Sequence, residues 1–132
     1  MWIFEQATGK WYGSGRCEAI GYAGRDVGKN NPAMQNVKGI GPLPCGWYTI
    51  GEPIEHHPTV GAYALPLTPD PDNEMFGRSS FYVHGDSKEH PGLASHGCPV
   101  IPRAVREKVH ASGDNRLQVV TYVNTATGGT EQ

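Results

Sequence analysis

Phe81-Tyr82-Val83-His84-Gly85-Asp86-Ser87-Lys88-Glu89-His90-Pro91-Gly92-Leu93-Ala94-Ser95-His96-Gly97-Cys98-Pro99-Val100-Ile101 is the stretch from which this chain is best read. It opens on an aromatic and β-branched run, the composition of a strong central strand, and that strand would deliver His84 to a sheet edge. A polar loop broken by Gly and Pro follows and ends in Ser95-His96-Gly97-Cys98. This is the layout of a thiol nucleophile and its base. A free thiol, with a pKa of about 8.5, is mostly protonated at pH 7. An imidazole titrating near neutrality can take the proton or hold the thiolate as an ion pair. Gly97, lacking a Cβ, lets the backbone turn sharply and a substrate come close. Backbone N–H groups at Gly97 and Cys98 are then candidate donors to the oxyanion of a tetrahedral intermediate.

The rest of the composition suits such a site. A chain of 132 residues is one domain, 1–132, large enough for a core and too short for two. Eighteen glycines and eleven prolines against 37% hydrophobic residues favour short strands and turns over helices, so the fold class expected is mainly β. A net charge of −2 without a basic run argues against nucleic acid or an anionic membrane surface as partner. No stretch is long and apolar enough to span a bilayer, and Met1-Trp2-Ile3-Phe4-Glu5-Gln6 lacks the basic start and apolar core of a secretory signal. The expectation is synthesis in the cytoplasm without a signal peptide and no membrane insertion.

Outward from the central stretch, Trp2-Ile3-Phe4 and Lys10-Trp11-Tyr12 flank a Gly-containing link of the hairpin kind, and a third strand is expected from Cys17 to Tyr22. Ala23 to Gly46 reads as a long ordered loop. Gly46 to Gly51 reads as a strand with Trp47 and Tyr48 on opposite faces, one in the core and the other a candidate groove wall. Glu55-His56-His57-Pro58 is expected to be a polar turn with solvated histidines. Ala62 to Leu67 is expected to be a strand whose Pro66 marks an edge or an end. Pro69 to Glu74 is expected to be a solvated acidic turn without the calcium-loop pattern. Pro102 to His110 reads as the one principal helix, with Pro at its first turn, Val105 and Val109 a turn apart and Gly113 beyond its end. A last strand covers Leu117 to Val123, and about 125–132 is expected to be a frayed tail. Of the three cysteines, a Cys17–Cys45 disulfide would leave Cys98 reactive, and two reduced cysteines are the equal alternative.

Around the nucleophile, Ser95 is expected to orient the loop or the imidazole, with plain turn chemistry as its alternative. His96 is a candidate to orient His84 or to bind substrate. Asp86 either holds the loop or binds a substrate amine. Asn31, beside Lys29 and Asn30, borders a groove or serves its own turn. A metal site built from His84, Asp86, His96 and Cys98 has suitable ligand types, but its spacing matches no standard zinc motif. A non-catalytic binding module would not need the cysteine.

His84 followed by Ser95-His96-Gly97-Cys98 resembles the signature of the L,D-transpeptidase (YkuD-like) superfamily. The fuller string resembles its DUF2778 branch, which includes type VI secretion L,D-transpeptidase effectors. That string comprises His84-Gly85-Asp86, Pro91 to Ser95 and Gly97-Cys98, with Gly28 to Pro32, Met34-Gln35, Gly41 to Pro44 and Gly46 to Ile50. Pro99 stands where an apolar Ile or Val is usual, and Val100 where many cell-wall members carry Asn or Arg; Arg103 is a candidate replacement cation. The resemblance implies a YkuD-like β-sandwich or barrel with one principal helix and long loops. It implies acyl transfer without a cofactor, in which Cys98 forms a thioester with a peptidoglycan tetrapeptide stem and expels D-Ala. Water, a D-amino acid or a stem amine would be the acceptor. It also implies action in the periplasm of a target cell after signal-independent secretion, and a cognate immunity protein.

Overall fold

The computed structural model describes residues 1–124 and 129–131. In chain order the strands are β1 (Trp2–Glu5), β2 (Lys10–Gly13), β3 (Arg16–Ile20), β4 (Gly46–Ile50), β5 (Ile54–His57), β6 (Gly61–Pro69) and β7 (Phe81–Val83). Helix α1 (Arg103–Ala111) comes next, then β8 (Arg116–Val120), β9 (Tyr122–Asn124) and β10 (Gly129–Glu131). The fold is mainly β with one α-helix, as expected. The loop from Ala23 to Cys45 carries two single 3₁₀ turns, Asp26–Gly28 and Pro32–Met34. Most of the tail expected at 125–132 lies outside the described residues; within it, β10 pairs antiparallel with β9.

The main sheet runs β3-β2-β1-β8-β4-β6-β5, with β7 branching from β6. The β1–β8 pair is parallel and joins the two ends of the chain, whereas the other pairs are antiparallel. Two isolated bridges curl the sheet toward closure. Val100 pairs with Tyr22, just past β3, on one side and with His84, just past β7, on the other. The expected central strand at Phe81–Val83 is therefore a short lateral one that meets β6 on one edge and the Cys98–Val100 segment on the other. Gly21 adjoins this seam, and a Cβ there would stand 1.7 Å from the Val100 carbonyl oxygen.

Trp2, Phe4, Trp11, Tyr48, Leu65, Leu67, Phe81, Val83, Leu117 and Val119 form the core, drawn from nearly every strand. Val109 of α1 closes it, and Val105, one turn earlier, packs half-buried against it. The Arg106 guanidinium, on the same helix, is buried and donates to the carbonyls of Ile101, Tyr63 (3.0 Å) and Ala62 (3.4 Å), tying α1 to β6 and to the end of the seam.

Two local expectations change. Ile54–His57 is a strand rather than a turn, because it pairs with Gly61–Ala64 in a tight hairpin. His57 is held there, its Nδ1 accepting from the N–H of Thr59 (3.0 Å) and Val60 (3.2 Å) and its ring 4.6 Å from Tyr82. Pro66 sits within β6 rather than at an end. Its side of β6 passes from β5, paired up to Ala64, to β4, paired from Leu67, so the missing N–H falls in the gap between partners. Tyr48 is the core member of its pair, while Trp47 is half-buried beneath the Arg116 guanidinium at 5.3 Å instead of forming a groove wall.

Burial and the seam give separable expectations in chemical denaturation. Leu117→Ala should lower stability by about 2–5 kcal/mol, since Leu117 is fully buried. Gly21→Ala should cost about 1–3 kcal/mol because its methyl group collides with backbone rather than with a movable side chain. Ile20→Ala next door, at 70% exposed, should stay within about 0.5 kcal/mol.

Candidate active site

His84 is set by the seam. Its N–H donates to the Pro99 carbonyl at 3.1 Å and its carbonyl accepts from Ile101 N–H at 3.2 Å, so the segment carrying Cys98 lies alongside β7 in parallel. The ring is buried, with Nδ1 2.8 Å from the Gly85 carbonyl oxygen. A carbonyl oxygen only accepts, so Nδ1 carries the proton and Nε2 keeps the lone pair. Burial lowers the His84 pKa below its usual value, and the Arg106 charge adds to the shift against opposing contributions from the Gly85 hydrogen bond and Asp86.

The bridge register sets Cys98 beside Tyr82, two residues before His84. Tyr82 N–H points at Cys98 Sγ from 3.4 Å. Burial pushes the thiol up to about 11, against the pull of the Tyr82 N–H and the Arg78 charge. Thiol and imidazole are thus both neutral at pH 7, and among the described residues no hydrogen bond joins them.

Ser95 is fully buried and organises the turn. Its Oγ accepts from Gly24 N–H (2.9 Å) and Gly97 N–H (3.0 Å) and donates to the Cys98 carbonyl (2.6 Å). Gly97 N–H, one of the two expected oxyanion donors, is taken by Ser95, while the Cys98 N–H lies against its own sulfur. Gly97 sits at φ +142°, and a Cβ on it would stand 2.5 Å from Arg78 Nη2. Its carbonyl accepts from Leu43 N–H at 2.8 Å, which stitches the long loop to the turn.

Arg78 is the residue that sequence reading missed. At 5% exposed, it donates to the carbonyls of Gln35 (2.6 Å), Pro42 (2.9 Å), Gly41 (2.9 Å) and His96 (3.2 Å) and lies over the Phe81 ring at 5.3 Å. One guanidinium thus joins the loop before β4 to the turn that presents Cys98. Nothing in the flanking Gly77-Arg78-Ser79 marks it as buried; its partners are backbone atoms distant in sequence.

Two grooves meet here. The one reached by His84 has a volume of about 560 Å³ and includes Arg25, Val60, Asp86 and Leu93. The one reached by Cys98 has about 340 Å³ and includes Lys38, Arg78, Ser79, Ser80 and His96. Arg25, from the first, lies 3.1 Å from Nε2 and 3.4 Å from Nδ1 of His96, from the second, so this exposed pair stands on their common rim.

The remaining candidates each have partners of their own. His96 faces Arg25 rather than His84. Asp86 caps the loop: its carboxylate accepts from Tyr22 Oη (2.6 Å), Ser87 N–H (2.8 Å) and Gly92 N–H (3.1 Å). Burial works against that charge, but the hydrogen bonds outweigh it and lower the Asp86 pKa. Arg103 is exposed, pairs with Glu107 at 3.2 Å and lies over the Tyr63 ring, on a third hollow with Tyr22 and Asp86. Asn31 caps its own 3₁₀ turn through Ala33 N–H (3.2 Å) and donates to the Val27 carbonyl (2.9 Å), outside both grooves. The metal set is not assembled: among the described residues no three His, Cys, Asp or Glu side chains converge, Asp86 is occupied by the loop and His96 points to Arg25. All three cysteines are free thiols; Cys17 is exposed on β3 and Cys45 half-buried against Gln6 at 3.3 Å.

The high thiol pKa and the Ser95 hub are both testable. Alkylation of Cys98 by iodoacetamide, followed by peptide mass spectrometry, should be slow at pH 7 and rise with a midpoint near pH 11. Ser95→Ala should cost about 1–3 kcal/mol of stability, since it strips two buried N–H groups of their acceptor. Residues 18–125 match the family model described as the Tlde1 domain. No curated protein and no solved structure matches the chain.

Proposed function

The chain belongs to the Tlde1 domain family of type VI secretion effectors, L,D-transpeptidase-like proteins directed at peptidoglycan, and we propose that it is a cysteine-dependent enzyme acting on tetrapeptide stems. The observation that carries this reading is the seam. It sets the Cys98 turn beside β7 while the Gly85 carbonyl fixes His84 with its lone pair on Nε2.

In the first step, Cys98 Sγ bonds to the carbonyl carbon at the L-centre of the stem's third residue as its proton passes to His84 Nε2. The negative charge collects on the carbonyl oxygen, where the Cys98 N–H and the Arg78 charge oppose it. Collapse breaks the C–N bond, and His84 returns the proton to the departing D-Ala amine, leaving a thioester. An acceptor then attacks the thioester carbon, His84 takes the acceptor's proton, and the C–S bond breaks to restore the thiol. Water as acceptor trims the stem, and a D-amino acid exchanges its terminus. These two outcomes are favoured for an effector, because both consume the tetrapeptides needed for cross-linking. Action would take place in the target cell's periplasm, and a cognate immunity protein would protect by covering the two grooves.

The reading is tested with purified tetrapeptide muropeptides, with and without D-Met, followed by mass spectrometry. The wild type should release D-Ala or incorporate D-Met, Cys98→Ala should do neither, and His84→Gln should lose about 10²–10⁴-fold in kcat. Turnover that survives Cys98→Ala and stops with chelator would sink the thiol mechanism. Because the base must be unprotonated and burial lowers its pKa, kcat/KM should hold as pH falls through about 6.5 and decline only at more acid pH.

A further inference from the structure

We propose that the Cys98 groove is an anion subsite which holds the α-carboxylate of a D-amino acid, using the unpaired positive charges of Arg78 and Lys38. The identity of the anion rests on the stem-peptide reading above; the anion preference itself rests on the groove.

Arg78 is buried, and its guanidinium meets only carbonyl oxygens and an aromatic face. Among the described residues no carboxylate is paired with Arg78 or Lys38; the ion pairs all lie elsewhere. A buried charge without a counter-ion is costly, and its field reaches whatever occupies the adjoining space. That space is the hollow of about 340 Å³ at Cys98, where Lys38 adds a second cation at the rim and Ser79 and Ser80 add hydroxyls. Among the described residues no Asp or Glu lines it. The larger groove at His84 differs, since Asp86 and Ser87 line it with Arg25.

The chemistry supplies the anion. In a tetrapeptide donor the residue beyond the scissile carbonyl is the terminal D-amino acid, whose carboxylate lies a few bonds from the carbon that Cys98 attacks. Exchange runs the same bond-breaking step backwards, so an entering D-amino acid returns to the position that the leaving one vacated. A single cationic hollow beside the sulfur therefore serves both the departure of D-Ala and the arrival of its replacement. The stem itself is left to the His84 groove across the Arg25–His96 rim.

The test uses Cys98 as its own reporter. The rates of alkylation by iodoacetate, which is anionic, and iodoacetamide, which is neutral, are compared at pH 8.5 and low salt, with Cys17 in the same protein as internal reference. The iodoacetate-to-iodoacetamide ratio at Cys98 should exceed that at Cys17 by about threefold or more, and Lys38→Glu on the exposed rim should reduce the excess by at least half. D-Alanine should protect Cys98 from iodoacetamide while D-alaninamide does not. Equal ratios at the two thiols, or indifference to Lys38→Glu, would overturn the anion subsite. Equal protection by the two ligands would overturn its assignment to a carboxylate. A protein that shows the anion preference yet leaves tetrapeptides intact would refute the stem-peptide reading and leave the anion subsite standing.

Discussion

Val100 is hydrogen-bonded along both edges, to Tyr22 on one side and beside His84 on the other, and the order of the molecule follows from that double engagement. A sheet whose ends did not meet would present β7 and the Tyr22 segment as unpaired edges. The segment that closes it is too short and too broken by Pro and Gly to be a strand, so it pairs through single bridges, and its remaining residues are free to form the turn that presents Cys98. Closing the barrel-like sheet and setting the Cys98 turn alongside β7 and His84 are thus one structural event. Gly21 is the steric condition for it, because the chain on the β3 side approaches the Val100 carbonyl closer than any side chain would allow.

Burial at the seam moves both reactive groups toward neutrality. The same desolvation that lowers the imidazole pKa raises that of the thiol, since in each case it penalises the charged form. A thiol held neutral in this way reacts slowly with alkylating and oxidising agents, which require thiolate.

Two buried arginines frame this arrangement from opposite sides, each meeting backbone carbonyls rather than a carboxylate. Arg106 ties α1 to β6 and the seam, and Arg78 ties the long loop to the Cys98 turn. Carbonyl dipoles can satisfy guanidinium hydrogen bonds without cancelling the charge, so these residues brace irregular backbone and still contribute positive potential. A carboxylate partner would have given the same bracing and removed the field.

Much of this was legible in the sequence, where the requirement was local. The aromatic and β-branched runs defined β1, β2, β4 and β8, and Pro102 with the Val105 and Val109 spacing marked the single helix. The Gly97-Cys98 step after a strand-borne His84 was legible as a candidate thiol and base, and the structure sets that turn alongside β7. What the tertiary structure decided is whatever depends on partners far along the chain. Ile54–His57 became a strand because β6 was there to pair with it, and Pro66 was tolerated mid-strand because its neighbours change at that point. Ser95 proved a hub because Gly24 came within reach, while His96 and Asp86 were drawn to Arg25 and Tyr22. Arg78 had no local signal at all: side-chain chemistry and spacing are written in the sequence, whereas burial and long-range hydrogen bonding exist only after the chain has closed on itself.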